Sequence, residues 1–550
     1  MTGIIAAKST GRRKRPTPPK LFPATTSPVP LPPPVFSIRA PSQGLLHALL
    51  LVTVCAGFFL ALGSAPLFDV DEGAFSEATR EMFLRGDFLS TYLYGEPRHD
   101  KPILSYWLQA LSVGLLGFHE WGFRLPSALM ATGWVAAVYT FTFEVRRNRE
   151  QALAAAFMTA ASVLIVIIGR AATADALLNL LIALSLFSLY RYLIGHGRIQ
   201  LYFAAATAGL GFLAKGPVAL AIPAVVGTLW LFSRGDFKAW LNLLLQWRAW
   251  ALFALIALPW YAVQSLRDGG EFLQGFLLQH NLGRFSDAME THSGPFWYYL
   301  PVLLIGFLPF TGFILAALSK TRQRWADPLD RWLLIWFGFI FLFFSASGTK
   351  LPHYLLYGAS ALLVYSAPEL LRERGRTGRL LLWSPLALAA LGMLALPTIL
   401  AQANTTDPVA MEILEALQVG FDAAYYGALI LGLALIAALA FFDFHPLIKT
   451  AIAGTGVSLF LVTCLTPLAA GVLQTPVQEA ARIARTIDAP TVLWRLHRPS
   501  FPIYAQRRVE RREPKPGELV LTKSTERHAL PPGDLLYERL GLALVHLRRN

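Results

Sequence analysis

The sequence predicts a polytopic all-α membrane protein of about thirteen transmembrane helices, with a small α/β domain outside the bilayer at its C-terminus. Three observations predict it. Of 550 residues, 55% are hydrophobic and only 15% charged, where a soluble chain would carry about 25% charge. Apolar runs close to the roughly 20 residues needed to cross a bilayer recur along most of the chain, many with no charge in their middle. The Lys and Arg residues behind the formal charge of +14 lie mainly in short segments between those runs. Membrane topology explains that placement better than nucleic-acid binding, so the bilayer is the expected partner and nucleic acid is not. Cys55 and Cys464 each sit inside an apolar run, far apart in sequence, and suggest neither a disulfide framework nor a thiolate metal site.

Residues 1–43 combine the cluster Arg12, Arg13, Lys14, Arg15 with a Pro-rich stretch through Pro34 and read as a disordered cytoplasmic tail. A cleaved signal peptide competes with this reading, but the apolar run 45–63 is long, which favours an uncleaved first span. Residues 44–473 form the transmembrane domain, with spans near 45–65, 122–145, 150–169, 176–194, 200–214, 217–232, 249–266, 295–318, 331–346, 354–371, 380–400, 425–442 and 450–472. The stretch 103–118 reads either as a further span or as an interfacial helix. With the N-terminus in the cytoplasm, alternate connections hold Arg146/Arg147/Arg149, Arg191/Arg198, Arg234/Lys238/Arg248, Lys320/Arg322/Arg324 and Arg372/Arg374/Arg376/Arg379. That repeats the positive-inside pattern, and one mistaken span would break it. An odd number of crossings leaves 474–550 outside, as a periplasmic α/β domain with strands at Thr491–Leu496 and Glu518–Thr522 and a helix at Leu535–His546.

The outward connections hold a different set of residues. The long first loop, with room for interfacial helices, carries Asp69, Asp71, Glu72, Glu77, Arg80 and the run His99-Asp100-Lys101-Pro102. Later loops add Arg170 and Asp175, Lys215-Gly216-Pro217, His280-Asn281-Leu282-Gly283-Arg284-Phe285, and Thr349-Lys350-Leu351-Pro352-His353-Tyr354. Taken singly, each acid is an ordinary span terminus and each cation a solvated or snorkelling loop charge. Together they demand more, because positive-inside sorting depletes outward Lys and Arg in short loops. Retained cations there imply an anionic ligand, best a phosphate met by Lys as a point charge and Arg as a bidentate donor. His280 and Asp100 have the chemistry of zinc or manganese ligands, but with no clustered third ligand a structural or substrate-binding His is simpler.

These motifs, with Asp71-Glu72, Arg80, Arg170-x-x-x-x-Asp175 and Asn281-x-x-Arg284-Phe285 in the same order, resemble the bacterial GT-C glycosyltransferases, above all the lipid A 4-amino-4-deoxy-L-arabinose transferase group, related to protein O-mannosyltransferases. The resemblance runs from about residue 45 to 475 and extends weakly to Arg498-Pro499-Ser500 and Tyr504. It implies a GT-C fold in the bacterial inner membrane, with the site facing the periplasm. It implies an undecaprenyl phosphate-linked sugar donor, a lipid A acceptor and polymyxin resistance as the outcome. Carried across, Asp71 is the catalytic acid, with Glu72 and Asp175 beside it. Lys101 and Arg284 hold the donor phosphate, assisted by Arg80, Lys215 and Lys350, while Asn281, His353 and Tyr354 contact substrate. A divalent metal (zinc, manganese or magnesium) near His280 and Asp100 is expected without being obligatory. A monomer is the default state.

Two other readings stay open at the level of sequence. A protein O-mannosyltransferase, or another transferase using a polyprenyl-phosphate sugar, would present almost the same outward motifs. A lipid or sugar transporter would also have many spans, but transporters place ionisable residues near mid-membrane, often in repeated halves. Here the charges cluster at span ends and no halved repeat is visible.

Overall fold

A computed structural model describes residues 41–276, 294–372, 375–403 and 405–549, apart from the side chain of Leu381. The expected tail therefore lies almost wholly outside the described residues. The first helix, α1 (Gln43–Val54), starts at Ser42, whose hydroxyl caps it by accepting from Leu45 N. The first outward loop folds into α2 (Asp71–Arg85), a small hairpin of β1 (Tyr92–Leu93) and β2 (Glu96–Pro97), and α3 (Leu104–Leu116). Then come α4 (Glu120–Arg146), α5 (Arg149–Ala161), α6 (Val163–Arg170), α7 (Asp175–Leu193), α8 (Arg198–Lys215), α9 (Val218–Ser233), α10 (Phe237–Leu244) and α11 (Trp247–Asp268). Beyond the undescribed stretch 277–293 lie α12 (Tyr299–Gly306), α13 (Thr311–Leu318), α14 (Pro328–Ala346), a 3₁₀ turn at Pro352–Gly358, and α15 (Ala359–Leu370). The helical part closes with α16 (Arg376–Ala401), α17 (Pro408–Gly420), α18 (Ala423–Phe441), α19 (Pro446–Phe460) and α20 (Thr466–Leu473).

Helices occupy every expected span. Among the described residues seven are long and apolar enough to cross a membrane, and α5 with α6 makes an eighth if that bent pair is one span. The pair turns by 62°. Ser162 causes the break: its backbone is extended, and its hydroxyl and N–H both turn back to Met158 O. At the centre of the bundle α5 is buried along nearly its whole length and is rich in alanine, with Ala152, Ala154, Ala155, Ala156, Ala160 and Ala161 fully covered. Small side chains let α1, α4, α15 and α19 approach it closely. The stretch 103–118 is resolved as α3, a 13-residue helix with Leu111, Leu115 and Leu116 exposed.

The C-terminal segment pairs α21 (Thr475–Thr486) and α22 (Phe501–Ala505) with a five-stranded sheet. Its strands are β3 (Thr491–Leu493), β4 (Glu510–Arg511), β5 (Leu519–Lys523), β6 (Gly533–Arg539) and β7 (Leu542–Leu547), in the order β4-β3-β5-β7-β6. The two expected strands are present. The expected helix at Leu535–His546 is instead the antiparallel hairpin β6–β7, turned by Leu540 (φ 49°) and Gly541 (φ 76°). Two consecutive positive φ values suit the tight hairpin turn and end any helix there. Leu and Ala made β7 look helical, yet Leu542–Val545 is buried on both sides and reads as a continuous apolar run.

Charged residues sort into two sets that do not mix among the described ion pairs. Arg146 and Arg324 share Asp330, Arg191 meets Glu144, Lys320 and Arg372 share Glu369, and Arg379 meets Asp443. All these basic residues were placed by sequence on the cytoplasmic face. The other set, Asp100, Lys101, Asp175, Lys215 and His353, pairs only within itself and with Arg98.

Candidate active site

The acidic cluster at the start of α2 separates into three different environments. Asp69 lies in the loop and accepts from Ser500 N (2.8 Å) and Ser500 Oγ (2.7 Å). Burial, only partly offset by those bonds, pushes its carboxyl up to about 6. Glu72 is buried against Arg124, which donates to it from Nε (2.9 Å) and Nη2 (2.7 Å) and also holds the carbonyls of Leu62, Ala65 and Pro66. Phe68 N and Ala172 N fill the remaining acceptor positions of Glu72. Burial alone would raise its pKa, but Arg124 and these donors outweigh it and hold the carboxyl below the usual range. Glu72 is therefore an anchor for the loop rather than a carboxylate open to substrate, which corrects the catalytic role expected for it.

Asp71 is the exception. It occupies the first turn of α2, is exposed, and has no hydrogen-bond or ion-pair partner among the described residues. The helix N-terminus favours its negative charge. It acts electrostatically on Arg98, Tyr106 and His353, which places it against the first loop and the turn after α14.

The expected cations are held by specific partners. Lys101 Nζ donates to Asp100 Oδ1 (2.5 Å) and is mostly buried. Lys215, at the end of α8, pairs with Asp175 at the start of α7 and lies 5.7 Å from the Tyr354 ring centre and 5.9 Å from that of Tyr357. Gly216 allows this turn: its φ is +83° and an added Cβ would collide with the Phe276 ring. His353 Nε2 stands 3.6 Å from Asp175 Oδ1, and Lys350 Nζ donates to Ser347 O (2.6 Å). Asp175 therefore ties α7, α8 and the 3₁₀ turn together, so it positions neighbours where a catalytic role was expected. The structure brings Asp175, Lys215 and His353 together by direct contacts, and the charges of Asp71 and Lys101 also act on His353.

Arg80 is a correction. It forks onto Glu77 with two bonds of 2.7 Å and donates to Arg507 O (2.9 Å), so it latches α2 to the C-terminal segment rather than facing a donor phosphate. His280, Asn281 and Arg284 lie outside the described residues. Among the described residues no group of three or more His, Cys, Asp or Glu side chains has the arrangement of a metal site. Asp100 spends one carboxylate oxygen on Lys101 and the other on Arg98 (3.0 Å), so as it stands it does not fit the role of metal ligand.

Two arginines were missed. Arg124 sits inside a span, where sequence gives no sign of its partner Glu72, 52 positions away. Arg98 precedes the expected run by one residue. It is largely buried, its Cζ is 5.4 Å from the Phe75 ring centre, and its Nη1 has no hydrogen-bond partner among the described residues. Tyr106 stacks on the same Phe75 ring at 5.1 Å, and its buried Oη is likewise unpartnered. Burial opposes the Arg98 charge, but Tyr106, Asp100 and Asp71 more than restore it, leaving the group above the usual arginine pKa.

The fold of this helical bundle is ArnT-like. It superposes on the crystal structure of ArnT from Cupriavidus metallidurans bound to undecaprenyl phosphate with a TM-score of 0.77, at 20% identity, over 92% of this chain and 98% of that one. In sequence it is similar to the undecaprenyl phosphate-alpha-4-amino-4-deoxy-L-arabinose arabinosyl transferase of Aeromonas salmonicida, 32% identical over 358 residues, which is 62% of this chain and 64% of the relative. The enzyme of the same description from Erwinia tasmaniensis is 28% identical over 343 residues, 62% of each chain. The similarity thus spans a little under two thirds of the length of these curated relatives. Residues 100–262 match the family described as dolichyl-phosphate-mannose-protein mannosyltransferase. The likeness carried by short motifs is found again in these longer alignments.

Proposed function

We propose that this protein transfers 4-amino-4-deoxy-L-arabinose from undecaprenyl phosphate to a phosphate of lipid A, at the periplasmic face of the bacterial inner membrane, with thirteen crossings and one copy of the chain as the working unit. The observation that carries the reading is Asp71: of three neighbouring carboxylates it alone is exposed and unpaired among the described residues, and its charge acts on His353 together with those of Asp175, Lys215 and Lys101. The sequence relatives supply the sugar and its carrier.

Chemically, the bond between the sugar C1 and the prenyl phosphate oxygen breaks, and its electron pair leaves with the phosphate. An acceptor phosphate oxygen forms the new bond to C1, and undecaprenyl phosphate departs. A phosphate acceptor with its second pKa near about 6 is largely ionised already, so it needs no general base. Asp71 instead stabilises the positive charge that grows on the sugar as the bond stretches. Lys101 and the neighbouring cations stabilise the departing phosphate, the larger catalytic contribution.

Mass spectrometry of lipid A from cells with and without the chain tests this. An added aminoarabinose that depends on the chain supports the proposal; unmodified lipid A in both overturns it. The match of residues 100–262 favours a second reading, mannosylation of a protein hydroxyl. There Asp71 would serve as base, and purified protein would glycosylate a hydroxyl acceptor but not lipid A.

A further inference from the structure

Arg98 has a counterpart across the seam between the first loop and the C-terminal segment. The β1–β2 hairpin carries Tyr94 in its turn and runs directly into Arg98. Tyr94 Oη bonds His497 Nδ1 at 3.2 Å, which fixes the next residue, Arg498, beside the hairpin. On its other side Arg498 is held by Pro499 and Ser500, which lie against Gly73; an added Cβ there would stand 2.7 Å from Ser500 N and collide with Asp69 Oδ1. Arg498 is half-buried, and its Nε, like Arg98 Nη1, has no hydrogen-bond partner among the described residues. Asp69 is the acid within reach of Arg498, but its oxygens are engaged by Ser500.

An unfilled buried guanidinium donor is costly even where, as at Arg98, another nitrogen of the group already pairs with a carboxylate, because the unmade bond leaves a desolvated N–H unsatisfied. Burial first, then the charges of Arg511, Arg98 and Arg498, push the imidazole of His497, which is tied to the hairpin through Tyr94, down to about 4. It is neutral at pH 7 and adds no charge to repel them further.

We propose that Arg98 and Arg498 form a second phosphate subsite, which takes the phosphomonoester of the acceptor. The inference rests on the proposed transfer to a phosphate and names the residues that would receive it. A donor phosphate sits at the depth of the span ends, where its polyprenyl chain enters lipid and where Lys101, Lys215 and Lys350 lie. Arg498 belongs to a segment attached to the loop and not to a span, so it reaches a ligand from the side away from the lipid. The planar fork of arginine suits a phosphate dianion held in one orientation, as an attacking oxygen must be.

Binding to the full chain in phosphatidylcholine nanodiscs, with undecaprenyl phosphate saturating, tests the subsite. Diphosphoryl lipid A should bind at least about tenfold tighter than its dephosphorylated form. Arg98→Gln and Arg498→Gln should each erase that preference while leaving undecaprenyl phosphate affinity within about twofold, and Arg→Lys at either position should restore part of it. The proposal is overturned by a wild-type chain with no preference, by variants that keep it, or by variants that lose undecaprenyl phosphate in step, since the pair then serves the donor. Should Arg98→Gln fail to fold, Arg498→Gln decides alone. Because the readout is binding, a chain that shows the preference but transfers no sugar refutes the proposed activity and leaves the subsite standing.

Discussion

Asp71 and Glu72 are adjacent and carry the same functional group, yet their environments assign them opposite work. Glu72 gives up every acceptor position to Arg124 and to two backbone N–H groups, while Asp71 keeps its oxygens open. Asp71→Asn is nearly isosteric and touches no internal partner, so transfer should fall by at least about 100-fold with an unchanged unfolding temperature. Arg124→Ala should do the reverse in kind: it leaves a buried carboxylate unpaired, at about 3–5 kcal/mol, and the loss should appear first in thermal unfolding of purified protein. A variant of Arg124 as stable as the parent would mean that Glu72 is not the anchor described. The sequence announced the acidic cluster but had no means of sorting it. What sorts it is partner choice, and the partners sit 52 positions away at Arg124 and 431 away at Ser500. Arg98 escaped for a related reason, because it abuts a motif without being part of it.

Helix α2 is pinned to the C-terminal segment by bonds from Asp69, Arg80 and Leu67, the last donating from its N–H to Tyr504 Oη at 2.7 Å. Burial raises Asp69 to about 6 and Glu77 to about 7. Both values exceed those of the unfolded chain, so folding takes up protons at this seam. The associated stability is present in full below about pH 4 and is lost as pH rises through 6 and 7. Asp69→Asn cannot titrate. The stability of the parent relative to this variant should therefore shrink between about pH 5 and about pH 8, measured by thermal unfolding at each; a difference that grows with pH refutes the assignment. At this scale the sequence spoke clearly where periodicity is long, as in α4 and α7. It misled at β6–β7, where the Leu-rich strand β7, buried on both faces, lacks the alternation that distinguishes strand from helix.

Across the whole molecule, the segregation of ion pairs turns topology into something measurable. In the proposed topology the pairs Arg146–Asp330 and Lys320–Glu369 belong to the cytoplasmic face, and Lys101–Asp100 and Lys215–Asp175 to the periplasmic one. With Cys55 and Cys464 replaced by serine, a single cysteine at Gly95 should react with an impermeant maleimide added to intact spheroplasts, and one at Gly235 should react only after lysis. Both are glycines with φ above zero, on the loop after β1 and the turn after α9; a Cβ at Gly235 would meet nothing, and one at Gly95 would make only an ordinary contact with Arg85. Reaction of Gly235→Cys in intact cells would invert the proposed orientation. This sorting was the most legible property of the chain, since it depends on where charge falls along the sequence rather than on which atoms meet. The bond from Ser500 to Asp69 adds a consequence in time. The first loop leaves the ribosome more than 400 residues before the segment that fastens it, so every span can be inserted while the pocket is still unfinished. A chain cut short after α20 would lack Ser500 and leave Asp69 unfastened.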